Sequence, residues 1–249
     1  FPYPTLFRSR TAWLCDDAMI SMRQSVNWVE GLGITWDGIH RVQAFTHPTW
    51  FLLFSGSYAL TGELFNTAIV LCIICATGAT IIGLRLAWRS HSPWWGFVPL
   101  VGLTMSAAFI DYSTSGLENA LSYLLMGGMI ALAPRVTKAS TNRVVAVFFL
   151  LFALFILNRF DHILLGGPLA VGLWLRCLGP NGRNRLLVPS LLLVLGWLSF
   201  ATVYFGTPLP NTFFAKLNTG YPSGEYWSRG LDYFRVCLGS DPVTATLMV

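Results

Sequence analysis

Charge is what this 249-residue sequence has least of: Asp, Glu, Lys and Arg make up 11% of it, against 54% hydrophobic residues. A water-soluble domain of ordinary composition carries roughly 25% charged residues. The chain cannot coat a soluble globule of its size with ionised groups, which excludes a soluble enzyme of the Rossmann kind and a disordered chain. Histidine is scarce too. His40, His47, His91 and His162 form no HxH or HExxH spacing, which argues against a zinc site. Five cysteines give one CxxC, Cys72 with Cys75, inside a continuous apolar run where a thiolate is disfavoured. Neither a disulfide scaffold nor a dithiol redox centre fits.

Long apolar runs separated by short basic loops are what the chain does have, and they indicate an all-α polytopic membrane protein. Spans are expected at 64–84, 94–111, 117–133, 144–157, 163–177 and 186–205. Half of the 16 basic residues sit in three loops that contain no acid: Arg85 and Arg89; Arg135, Lys138 and Arg143; Arg176, Arg183 and Arg185. This asymmetry places the three loops on the cytoplasmic side and leaves no basic surface for nucleic acid. The opposite, outer face then receives residues 10–63, 112–116, 158–162 and 207–249, and all 11 acidic residues lie there or at its boundary. The apolar stretch 46–60 would break this alternation as a span and is expected to be a juxtamembrane helix in the outer interface. Residues 1–9 (FPYPTLFRS) read as a non-native leader. The organisation expected is a leader (1–9), a first outer loop with juxtamembrane helices (10–63), a six-helix transmembrane region (64–206) and a truncated outer loop (207–249).

Ionisable groups at a membrane face are costly unless they serve a site. The outer segments carry Asp16, Asp17, Arg23, Arg41, His47, Glu118, Arg159, Asp161, Asn211 and Lys216. An acidic pair most often caps a helix. Asp16 and Asp17 open the amphipathic stretch Ala18, Ile20, Met22, Val26, Val29, so one is expected to cap it and the other to stay free. Arg159 and Asp161 are spaced to form an ion pair. His47 before Pro48 suits a structural hydrogen-bond role, and Pro208 and Pro210 suit a loop that ends a helix.

The strings DDAMISMRQSVNWVEGLGITW and RVQAFTHPTWFLL, followed in order by SGLENAL, NRFDHILL and TPLPNTFFAKL, resemble polyprenyl-phosphate-sugar-dependent glycosyltransferases of the GT-C fold. The resemblance is to bacterial proteins like the mycobacterial terminal β-1,2-arabinofuranosyltransferase and its motility-associated ZomB-like homologue. It runs from about residue 12 to 235. It implies a GT-C-like helix bundle in the bacterial inner membrane, a further helix before Asp16, and a catalytic base in the acidic pair. Arg159-Phe160-Asp161 stands where the family often has an Arg-Pro-Asp-like triplet, and Gln43 stands where a Glu is common.

A transferase of this kind needs a carboxylate to take the proton of the attacking hydroxyl and fixed positive charge for the leaving phosphate. Asp16 or Asp17 is the expected base. Arg159 and Lys216, with Arg23 and Arg41 behind them, are the expected phosphate ligands. Glu118, Asp161, His47 and Asn211 are candidates for orienting the acceptor. Only one carboxylate is needed, so inversion is expected. No cofactor is required, although Asp16, Asp17 and Asp161 offer oxygen ligands to a divalent cation. The partners are a polyprenyl-phosphate-linked sugar, a glycan or lipid acceptor, and membrane lipids. The alternatives are a flippase or transporter for lipid-linked glycans, against which stands the lack of charge at the span centres, and a non-catalytic motility-associated membrane protein.

Overall fold

The computed structural model describes residues 13–89, 102, 105–137, 139–177, 183–217 and 223–242. The expected leader, most of the expected span 94–111, His91 and Lys138 lie outside the described residues. The described chain consists of helices and the loops between them, with no strand among those residues. In chain order its α-helices are α1 (Asp16–Val29), α2 (Pro48–Thr61), α3 (Leu64–Trp88), α4 (Ala107–Tyr112), α5 (Asn119–Leu132), α6 (Asn142–Asn158), α7 (Ile163–Cys177), α8 (Val188–Phe205), α9 (Asn211–Leu217) and α10 (Ser223–Ser240).

Helices α3, α5, α6, α7 and α8 coincide with five of the apolar runs. Their ends follow ordinary backbone chemistry. Proline stands in the first turn of α2 and α8, where its missing N–H costs nothing. Gly62 and Gly206 end the same helices at φ 69° and 82°, a left-handed turn that favours glycine. Among the described residues, two helical runs are long and apolar enough to cross a membrane: Leu64–Trp88, of mean hydropathy 2.3, and Asn184–Phe205, of 2.1. At 17 residues, α6 is about 25 Å long, short of a hydrocarbon core of about 30 Å. Helices α5 and α7, of 14 and 15 residues, are shorter still. A soluble core helix buries most of its surface, yet only 28% and 17% of the two long apolar windows is buried. Ile73, Ile74 and Ile81 of α3 and Leu191, Leu192 and Val203 of α8 face outward, a pattern that suits lipid.

Helix directions follow from the contacts. Cys72 lies against the Leu117 carbonyl, Gly78 against Leu124, and Gly127 against Ile82, so α3 and α5 run side by side in the same direction. Small residues let these backbones approach closely. In α6, Asn158 meets Glu118 and Ser122 while Leu151 meets Gly128, so α6 runs back against α5. Gly166 of α7 packs on Phe152 and Met129. Trp197 of α8 joins Leu157 of α6 and the rings of Phe45 and Phe51.

The first segment covers one end of this bundle. The Cys15 N–H donates to the Ser115 carbonyl (2.8 Å), and the Trp50 indole N–H to the Gly116 carbonyl (3.0 Å). The Thr49 hydroxyl donates to the Leu154 carbonyl (3.1 Å). Helix α2 buries Trp50, Phe51 and Phe54 in the bundle and leaves Leu52, Leu53 and Leu60 exposed. Residues from 13–63, 115–118, 158–162 and 204–212 thereby come to the same end.

Gly116 is the tightest point of that junction. Its φ is +76°, and an added Cβ would stand 2.6 Å from Leu14 Cδ2 and 3.2 Å from Ala18 Cβ. Left-handed strain and overpacking add, so Gly116→Ala is expected to cost about 2–4 kcal/mol and lower the Tm in detergent by several degrees. Gly56→Ala, a helical position with nothing within 4 Å, should be neutral or raise it. Equal melting of the two variants would refute the close approach at Gly116.

Candidate functional site

Glu118 lies at the centre of the covered end. It is 4% exposed and immediately precedes α5, on a turn held by its own carbonyl, which accepts from the Asn158 amide (2.9 Å) and the Ser122 hydroxyl (3.1 Å). One carboxylate oxygen accepts from an Arg159 guanidinium N–H at 3.3 Å. The other lies 3.2 Å from Nδ1 of His47, in ion-pair reach but outside hydrogen-bond alignment. Arg159 also donates from Nε and a terminal nitrogen to the two oxygens of Asp161, at 3.1 and 2.9 Å. This is a fork-to-fork pair of the kind guanidinium and carboxylate make. The ion pair expected from the two-residue spacing is present, and Glu118 joins it from another helix.

His47 precedes α2 and is buried. Its Nε2 is 2.6 Å from the Ser21 hydroxyl, and Ser21 is itself buried in α1. The ring is thus held between the Ser21 hydroxyl at Nε2 and the Thr46 hydroxyl, 3.4 Å from Nδ1. Burial lowers the His47 pKa and holds the ring neutral, against the opposing pull of Glu118. Asp17 lies near enough for its charge to act on the same ring. Asp17 and Ser21 are four residues apart on α1 and therefore share a face. Ser21, His47, Glu118, Arg159 and Asp161 form one chain of contacts, with Asp17 in electrostatic reach.

The two acids of the pair differ. Neither caps α1, contrary to expectation: Cys15 holds the N-cap position without a side-chain cap bond, and both acids sit in the first turn. Negative charge there still complements the helix dipole. Asp16 is committed, because one of its oxygens accepts from the Cys15 thiol (3.2 Å) and the Asp17 N–H (3.0 Å). Those bonds hold its carboxyl below the usual range. The Asp17 carboxylate makes no hydrogen bond to the described residues.

The oxygen set Asp16, Asp17 and Asp161 does not assemble, because Asp161 is turned to Arg159. The ligand atoms within 4.8 Å of one another belong to Cys15, Asp16 and Asp17. Burial, with the nearby carboxylates, keeps the Cys15 thiol protonated above its ordinary pKa, which makes it a poor ligand.

The remaining predicted residues flank the network. Arg23 donates from Nε to the Trp36 carbonyl and lies over the Trp36 ring. Arg41 lies 4.8 Å over the Tyr204 ring, its guanidinium without a hydrogen bond to the described residues. Asn211 opens α9, and its backbone N–H donates to the Gln43 carbonyl (3.2 Å). Lys216 is in α9, and its side chain lies outside the described residues. Sequence reasoning missed Ser21, Thr46 and Thr212. Ser21 was detectable as the i+4 neighbour of Asp17, and the other two only as neighbours of His47 and Asn211. Gln43 is fully buried, with neither end of its amide paired among the described residues.

Comparison with known proteins adds nothing to this geometry: no family model, no curated protein and no solved structure matches the chain.

Burial also lowers the His162 pKa, and Asp161 sits below its usual value because Arg159 outweighs the effect of burial. A histidine kept neutral by folding takes up a proton in the unfolded chain first, so stability rises with pH through that window. Folding stability should therefore fall as pH drops below about 6.5, by up to about 1.4 kcal/mol per pH unit for each histidine. The Asp161 contribution is lost only below about pH 4. Thermal unfolding of His47→Gln between pH 5 and 8 should show a shallower decline than the parent chain. An unchanged slope would remove His47 from the titrating set.

Proposed function

We propose that this chain belongs to a multi-pass glycosyltransferase of the bacterial inner membrane, built on a GT-C-like helix bundle. It transfers a sugar from a polyprenyl-phosphate donor to a cell-envelope acceptor on the outer face, with inversion. The observation that carries this reading is the meeting of four sequence-distant polar segments at one end of an apolar bundle, around Asp17, His47, Glu118, Arg159 and Asp161.

Asp17 is the base. Its carboxylate is exposed and uncommitted, whereas Asp16 is engaged by Cys15 and by the backbone. As the acceptor oxygen attacks the anomeric carbon, its proton passes to Asp17, and the bond from that carbon to the phosphate oxygen breaks. The leaving phosphate gains charge and needs a cation with free donors. Arg159 is already shared between two carboxylates, so the phosphate falls to Arg41, whose fork is unpaired among the described residues, with Lys216 as second cation. Arg159, Asp161 and Glu118 orient the acceptor, and His47 fixes Glu118 through its contact with Ser21.

The test uses the full-length native gene in a deletion host, with surface glycans and the polyprenyl-phosphate-sugar pool followed by mass spectrometry. Asp17→Asn should reduce transfer by about 10²–10⁴-fold and raise the donor pool at equal expression. Asp16→Asn should stay within a few-fold of the parent. Normal glycans in both variants would end the transferase reading and favour a transporter or a non-catalytic role.

A further inference from the structure

Beside the ion-pair network lies a recess of about 210 Å³, walled by Thr46, Arg159, Phe160, Asp161, Thr212 and Phe213 among others. We propose that this recess is a subsite for one neutral sugar ring of the acceptor glycan. The inference deepens the glycosyl-transfer reading and rests on it for the ring's role.

Size is the first argument. Pockets for drug-sized ligands run to roughly 300–1,000 Å³, so a recess of about 210 Å³ is on the scale of a single pyranose or furanose ring. The lining is the second. Arg159 and Asp161 present a rigid donor and acceptor pair, the combination that reads adjacent hydroxyls. Thr46 adds a hydroxyl, and Thr212 lines the recess with a hydroxyl that has no partner among the described residues. Phe160 and Phe213 supply apolar faces for the C–H side of a ring.

Charge is the third argument, and it separates a neutral ring from a phosphate. Two carboxylates, Asp161 and Glu118, already share the Arg159 guanidinium, so it has little positive charge left to offer an anion entering the recess. The donor sugar carries its phosphate with it. The acceptor ring carries none, and the recess therefore takes the acceptor side.

The probe is a panel of methyl pentosides and methyl hexosides, with saturation-transfer NMR on the chain in detergent micelles. At least one glycoside should receive saturation at its ring protons. Its apparent affinity should fall about tenfold in Asp161→Asn and in Phe213→Ala. The second site is half-exposed, so that truncation leaves the bundle intact. Millimolar inorganic phosphate should not displace the glycoside. Absence of saturation for the whole panel, equal binding in both variants, or displacement by phosphate would each overturn the proposal. Asp17→Asn separates the two readings: loss of transfer with glycoside binding retained supports both. Full transfer with binding retained leaves a sugar-binding recess and rejects the base.

Discussion

A carboxylate taken out of water at the end of an apolar helix bundle is the constraint on which the rest of this architecture depends. Desolvating a carboxylate costs several kcal/mol unless charge and hydrogen bonds are returned to it. Glu118 recovers both from Arg159 after α6, while the neutral imidazole of His47 before α2 lies against its second oxygen. Meeting that demand brings the start of α5, the end of α6 and the start of α2 to one point. Asn158 and Ser122 then hold the Glu118 turn itself, and Ser21 holds the far side of the imidazole. Removing Arg159 would leave the buried Glu118 charge without its cation, and removing the others would free the groups that hold the turn and the imidazole in place.

The same arithmetic of charge changes the roles available to individual residues. An arginine near a lipid-phosphate site suggests an anion clamp, but a guanidinium forked onto Asp161 and touching Glu118 has little positive field left to offer. Arg41 has the opposite character, being stacked on Tyr204 with no hydrogen bond from its guanidinium to the described residues. Division of labour between orienting and charge-stabilising groups follows from which cations are already neutralised, more than from which lie nearest the site.

Aromatic packing supports the arrangement from below. Phe45 stacks on Phe51 at 4.0 Å and meets Trp197 and Phe205 edge-on or tilted, fixing the loop that carries Thr46 and His47 against α8. Tyr204 ties the same end of α8 to the first segment through its hydroxyl, which accepts from the Ile34 N–H. The loop between α8 and α9, which walls the recess, is thus anchored to the segment that carries the acidic pair.

Much of the helical layout was legible in the sequence, because uninterrupted apolar runs bounded by Pro, Gly and basic loops have few alternatives to a helix. Five runs are found as helices within a few residues of their expected ends. The Arg159–Asp161 pair was legible for a similar reason: a two-residue spacing limits what the side chains can do. The capping role expected for the acidic pair was wrong because the first residue of a helix is set by where the preceding strand of chain turns, and here Cys15 is tied to Ser115. What the sequence alone determined is therefore local: composition, helical runs, and which polar residues avoid them. Tertiary structure decided which of those residues share a charge. Glu118, His47 and Arg159 are far apart along the chain, and only the fold brings the guanidinium and the imidazole to one buried carboxylate.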